Sequence, residues 1–250
     1  MFDQQRYTQT VTQRFEIRKT SVSLGFTRKA PLSKADGPQN DAEIADIRGI
    51  PYREAVGALI WVANMTRPDL AYTAHTLAKF GDHPGPEHWK ALMKAPQYLK
   101  RTAILGVTYG GATKDMKLST WVDADRASCP DMRRSVSGGA VMLGGGAISW
   151  FSRAQRITAT ATSESKYVAL AEIVNELRFL RQVNAFTVAP IDYNIRVQQD
   201  NEGAIKMAEN RFSSQRTRHI DMKHHMVWDA VNGGIIRVEH VKSREQHTDY

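Results

Sequence analysis

Three aspartates stand where carboxylates could act together. Asp123 lies in the run Trp121-Val122-Asp123-Ala124-Asp125, Asp200 closes Val197-Gln198-Gln199-Asp200, and Asp249 follows the last apolar stretch of the chain. The residues ahead of each read as a strand, and carboxylates at strand ends of a mixed α/β sheet can converge on one edge. Clustered carboxylates repel one another and raise each other's pKa unless a cation joins them. Replacing Asp123 or Asp200 by Asn is then expected to preserve or raise stability in the absence of metal. Hard oxygen donors, without an obligatory Cys or His, favour Mg2+ or Mn2+. Two such ions about 3.5–4 Å apart can activate water and stabilise the leaving oxygen of a phosphodiester. Taken singly, each aspartate reads as a cap or turn residue. Three at corresponding points of the strand order read as a site.

Two other groups of polar residues invite chemistry. Arg211, Arg216, Arg218 and Lys223 form a basic run before and within a helical pattern. A solvated face explains such a run, and so does contact with phosphate. His219, His224, His225, His240 and His247 crowd the C-terminal part, but they lack a standard zinc spacing and have no cysteine nearby. They read as surface or hydrogen-bonding histidines.

The elements that must position these residues follow from hydrophobic periodicity. Tyr7, Val11 and Phe15 recur at helical spacing, and residues 30–46 have the Pro, Gly, Asp and Lys content of a loop. Three helical patterns fill residues 52–101, the last with Pro96 inside it, where a proline costs about 3 kcal/mol or a kink. Past Gly110-Gly111 the pattern changes to strands. Residues 118–122 read as the first, residues 135–152 as a Gly-rich, apolar hairpin candidate turning at Gly144-Gly145-Gly146, and residues 156–162 as a third strand. Residues 164–186 give the longest helix, with Tyr167, Leu170, Val174, Leu177 and Leu180 as its buried stripe. A strand over 194–199, helices over 202–208 and 221–231, and a strand over 235–241 complete the order βββαβααβ.

Composition bounds the rest. The chain has 250 residues, 42% hydrophobic and 24% charged, an ordinary globular mix. Its formal net charge of +8 suits a polyanionic partner. Cys129 is the sole cysteine, so no intramolecular disulfide forms, in keeping with a reducing compartment. No apolar run approaches the roughly 20 residues that span a bilayer. The polar N-terminus does not read as a signal peptide. The sequence reads as that of a soluble, intracellular protein.

Longer motifs carry a resemblance that covers nearly the whole chain. Tyr52-Arg53-Glu54-Ala55-Val56-Gly57-Ala58-Leu59, Thr66-Arg67-Pro68-Asp69-Leu70-Ala71 and Glu87-His88-Trp89-Lys90-Ala91 form one group. Val122-Asp123-Ala124-Asp125, Gly145-Gly146-Ala147-Ile148-Ser149-Trp150, Asp200-Asn201-Glu202-Gly203-Ala204-Ile205, Arg216-Thr217-Arg218-His219-Ile220-Asp221 and His225 form another. The chain resembles the C-terminal part of copia-type LTR-retrotransposon Pol polyproteins. The first group matches the segment between polymerase and ribonuclease H, and the second matches the ribonuclease H domain.

The resemblance implies an α/β fold, a ribonuclease H-like mixed five-stranded sheet with flanking helices, behind a mainly helical connection segment. It implies residues 1–48 as a reverse-transcriptase remnant with linker, 49–112 as the connection and 113–250 as a ribonuclease H-like domain that stops within its last helix. The implied activity is Mg2+- or Mn2+-dependent hydrolysis of the RNA strand of RNA–DNA hybrids. The implied setting is a larger polyprotein with reverse transcriptase and integrase, in a cytoplasmic virus-like particle or the nucleus. Asp123, Asp200 and Asp249 match three of four active-site carboxylates, and Arg216, Arg218 and Lys223 become phosphate contacts. At the second carboxylate position the sequence reads Ser163-Glu164-Ser165-Lys166-Tyr167. Lys166 replaces the expected Glu. Glu164, two residues earlier, would point about 200° away on a helix. Arg126, Ser128, Pro96, His247 and Thr248 also depart from the family pattern. An impaired ribonuclease H is therefore expected, with a nucleic-acid-binding remnant or a poorly folding fragment as the rival readings. Lys166 is expected to pair with the aspartates and stay charged.

Overall fold

The computed structural model describes residues 1–21, 31–110, 117–184, 194–210 and 221–246. The chain divides into two compact units, Met1–Val107 with Cys129–Met132, and Thr108–Ser128 with Arg133–Tyr250.

The first unit is helical, with α1 Gln5–Arg14, α2 Asp41–Ile47, α3 Tyr52–Met65, α4 Ala71–Ala78, α5 Pro86–Leu92 and α6 Lys94–Arg101. Val56, Leu59 and Val62 of α3 share a core with Leu77, Leu92 and Leu99. Arg67 is buried beneath this core's edge because its guanidinium is paired on several sides. It donates to Asp69 at 2.9 and 2.7 Å and to the Thr102 carbonyl and hydroxyl at 3.0 and 2.8 Å. Two expectations are corrected here. Residues 41–46, read as loop, fall in α2, since Asn40 caps it by accepting from the Glu43 N–H at 2.9 Å. The helix expected to run through Pro96 breaks at Met93, so Pro96 falls in the first turn of α6. There a missing N–H costs no intrahelical bond.

The second unit holds β1 Ser119–Asp125, β2 Val136–Leu143, β3 Gly146–Ala154, α7 Thr162–Asn184, β4 Ile195–Gln199, α8 Glu202–Glu209, α9 Asp221–Asn232 and β5 Ile236–His240. The order is βββαβααβ as expected, with its three leading strands supplied by β1 and the two arms of the hairpin. The strands form one sheet in the order β3-β2-β1-β4-β5. β1, β2 and β3 pair antiparallel, whereas β4 pairs parallel with both β1 and β5. A mixed five-stranded sheet with flanking helices is the architecture that the resemblance implies. Gly144 and Gly145, at φ 58° and 82°, make the tight β2–β3 turn that side chains disfavour. The strand expected over 156–162 does not form, because this stretch leads into α7.

Helix α7 packs on the sheet through Tyr167, Leu170, Ile173, Val174 and Leu177, all fully buried. Gly139 on β2 permits its close approach. A β-carbon there would lie 2.7 Å from the Phe151 ring and 2.8 Å from Ile173 Cδ1. The parallel β1–β4 register sets Trp121 level with Gln198. Two residues further along each chain stand Asp123 and Asp200, so the pairing brings both carboxylates to one edge beside the start of α7.

Candidate functional site: a lysine between two strand-end aspartates

Lys166, the fifth residue of α7, reaches the edge where β1 and β4 end. Its ammonium nitrogen lies 2.6 Å from Asp123 Oδ1 and 2.6 Å from Asp200 Oδ1. The three side chains retain only 11%, 12% and 9% of their exposure. Burial is the largest influence on Lys166 and draws its pKa down. The hydrogen bonds and charges of Asp123 and Asp200 together outweigh it, so the pKa stands above its ordinary value and the side chain stays protonated.

The surrounding backbone is held to this edge by side-chain amides. Val122 O, next to Asp123, accepts from Gln246 Nε2 at 3.0 Å and from Gln199 Nε2 at 3.4 Å. Gln199 Oε1 accepts from the Asn201 N–H at 3.1 Å, and Asn201 caps α8 by accepting from Ala204 N–H at 2.9 Å. Ser243, in the turn after β5, donates to Asp200 Oδ2 at 2.9 Å. Asp200 is thus engaged through both oxygens.

The sequence-derived site residues fall into three groups. The structure brings Asp123, Lys166 and Asp200 together. The expectation of mutually repelling aspartates is corrected, because Lys166 compensates them. Asp249, Arg216 and Arg218 lie outside the described residues. Glu164 and Lys223 are described, and Glu164 is engaged outside this cluster. Glu164 is buried and accepts from the Thr160 N–H and hydroxyl, each at 2.7 Å. Lys223, half-buried on α9, has its pKa drawn down by burial; the charge of Glu172 opposes that and Arg156 adds to it. Burial in turn raises the pKa of Glu172, against a Ser137 hydrogen bond and the charges of Lys223, Arg153 and Arg156. Among the described residues no three His, Cys, Asp or Glu side chains are placed to hold a metal. No described helix is long and apolar enough to cross a membrane.

Ser243 and Gln246 went unmarked in the sequence. Their signal was positional. They follow the last strand of the parallel set, on the edge where β1 and β4 deliver their carboxylates.

No protein-family model matches the chain. It is 31% identical over 251 residues to the retrovirus-related Pol polyprotein from transposon TNT 1-94 of Nicotiana tabacum. That match takes in 98% of this chain, which spans only 18% of the tobacco polyprotein. Secreted RxLR effector protein 161 of Plasmopara viticola is 39% identical over 134 residues, 54% of this chain and 94% of that protein. Among solved structures, RNase H1 from the halophilic archaeon Halobacterium salinarum NRC-1 aligns with a TM-score of 0.39 at 12% identity, covering 53% of this chain and 90% of that one.

Proposed function

We propose that this chain, which belongs to the retrovirus-related Pol polyproteins of copia-type transposons, carries a ribonuclease H module for RNA–DNA hybrids in its α/β unit, with hydrolysis held off by Lys166. Family membership supports the reading for the chain. The strand order and the paired strand-end aspartates support it for the site.

One observation carries the statement about hydrolysis, the Lys166 ammonium 2.6 Å from a carboxylate oxygen on each aspartate. A divalent ion of the Mg2+ type needs about six oxygen ligands in strict geometry. The described residues offer two carboxylates with a positive charge already between them. Lys166 adds no lone pair and occupies the space between its partners. The described residues therefore do not fit a divalent ion. Two-ion hydrolysis through Asp123, Asp200 and Asp249, which the resemblance implies for active copies, is impaired in this one.

Recognition does not depend on hydrolysis. A protein reads a hybrid by backbone shape and 2′-hydroxyls more than by base edges, so little sequence preference is expected. Arg216, Arg218 and Lys223 are proposed as phosphate contacts.

The test is cleavage of an end-labelled RNA–DNA hybrid in Mg2+ and in Mn2+. Losing stabilisation of developing phosphoryl charge costs about 3–4 kcal/mol, so hydrolysis is expected at least ~10²-fold below that of the Lys166→Glu variant. Robust cleavage by the unmodified protein, unaffected by Lys166→Ala, overturns the assignment of Lys166.

A further inference from the structure

We infer that the edge closed by Lys166 seats a backbone phosphate of the hybrid directly, with no divalent ion, between Arg126 on one side and Lys242 and Arg244 on the other. The inference rests on the hybrid-binding reading above and names the part of the surface that does the binding.

The first observation is the charge of the cluster. Two strand-end carboxylates without a partner would repel a phosphate, and a site so built needs a metal ion to admit one. Lys166 lies within 2.6 Å of both and reduces that pair to a single negative charge. The remaining oxygen of Asp200 accepts from Ser243, which further satisfies it.

The second observation is what flanks the cluster. Lys242 and Arg244 lie on either side of Ser243 in sequence, and both are exposed. Their turn is held to the site at three points. The Val241 N–H donates to Gln199 O at 3.1 Å, Ser243 to Asp200 at 2.9 Å and Gln246 to Val122 O at 3.0 Å. The two cations are therefore carried beside Asp200 on a tethered turn. Arg126, also exposed, follows the end of β1, and one of its nitrogens donates to Thr160 O at 2.9 Å, just before the helix that carries Lys166. Two segments thus deliver three cationic groups around one edge. Exposed Asp125 and Glu245 oppose them in part. Guanidinium and ammonium groups contact phosphate oxygens through charge-assisted hydrogen bonds.

Fluorescence anisotropy with a labelled RNA–DNA hybrid tests this on the full chain, in EDTA and in Mg2+ at matched ionic strength. Affinity is expected to be the same in both buffers. The double variant Lys242→Glu with Arg244→Glu is expected to bind at least roughly tenfold more weakly, with a salt slope reduced by about 2. Both residues are exposed, and circular dichroism melting confirms that the variant folds; Lys242→Gln with Arg244→Gln is the milder second pair. Lys166→Glu is expected to make binding depend on Mg2+. Binding by the unmodified protein only in Mg2+ overturns this inference and leaves the hybrid-binding reading standing. Metal-independent binding that neither double variant weakens places the phosphate elsewhere and also overturns it. No binding in either buffer defeats the hybrid-binding reading and this inference with it.

Discussion

Lys166 changes what its neighbours are worth. Taken without Lys166, Asp123 and Asp200 are crowded anions, and neutralising either relieves repulsion. With an ammonium 2.6 Å from each, the sign reverses. Asp123→Asn or Asp200→Asn takes away a partner from a nearly buried cation, a loss of the kind that costs about 3–5 kcal/mol at full burial. Both variants are expected to melt below the unmodified protein in metal-free buffer, and a rise in Tm would show that repulsion still dominates. The same pairing sets a pH dependence. The pKa of Lys166 is raised in the fold above its ordinary 10.5. Its contribution is thus fully present below pH 10.5 and is lost as pH climbs through the higher folded value. Stability of the unmodified protein should fall through that alkaline window more than that of Lys166→Gln, measured by urea titration at each pH. The sequence carried this cluster clearly, because each residue sits near a strand end or a helix start. Ser243 was not legible, since a serine in a polar turn acquires its meaning only when β5 is placed beside β4.

At the level of elements, periodicity served wherever burial is one-sided. The stripe from Tyr167 to Leu177 specified α7 because that face packs on the sheet. It failed where local hydrogen bonds decide. Residues 156–162 alternate as a strand would, yet Glu164 accepts from Thr160 N–H and the segment becomes the approach to α7 instead. Pro96 looked like an interior breaker until the break at Met93 moved it to a first turn. Gly139 gave no sequence signal beyond its type, and it sets how closely α7 lies on β2. Gly139→Ala would press a methyl group to 2.7 Å from the Phe151 ring and 2.8 Å from Ile173 Cδ1. Both contacts are side-chain atoms that can shift, so the expected loss is that of an overpacked core, about 1–3 kcal/mol. Chemical denaturation measures it, and an unchanged midpoint would show that α7 can lift without penalty.

For the whole molecule, charge is the property that links sequence to partner. The formal net charge is +8, and the fold places three exposed cations, Arg126, Lys242 and Arg244, around the cluster edge. Net charge alone gives long-range attraction to any polyanion, screened within about 10 Å at 0.1 M salt. Direct phosphate contacts behave differently, because each one releases condensed counterions and steepens the salt dependence. The logarithm of affinity falls with the logarithm of salt at about 0.9 per contact on a duplex, so three contacts alone predict a loss of roughly fortyfold between 50 and 200 mM. Contacts from Arg216, Arg218 or Lys223 would steepen it further. Hybrid affinity measured across that range is expected to fall at least this much, alike for hybrids of unrelated sequence, since phosphates rather than base edges are contacted. A shallow slope with strong sequence preference would instead mean that base edges, and not phosphates, are contacted.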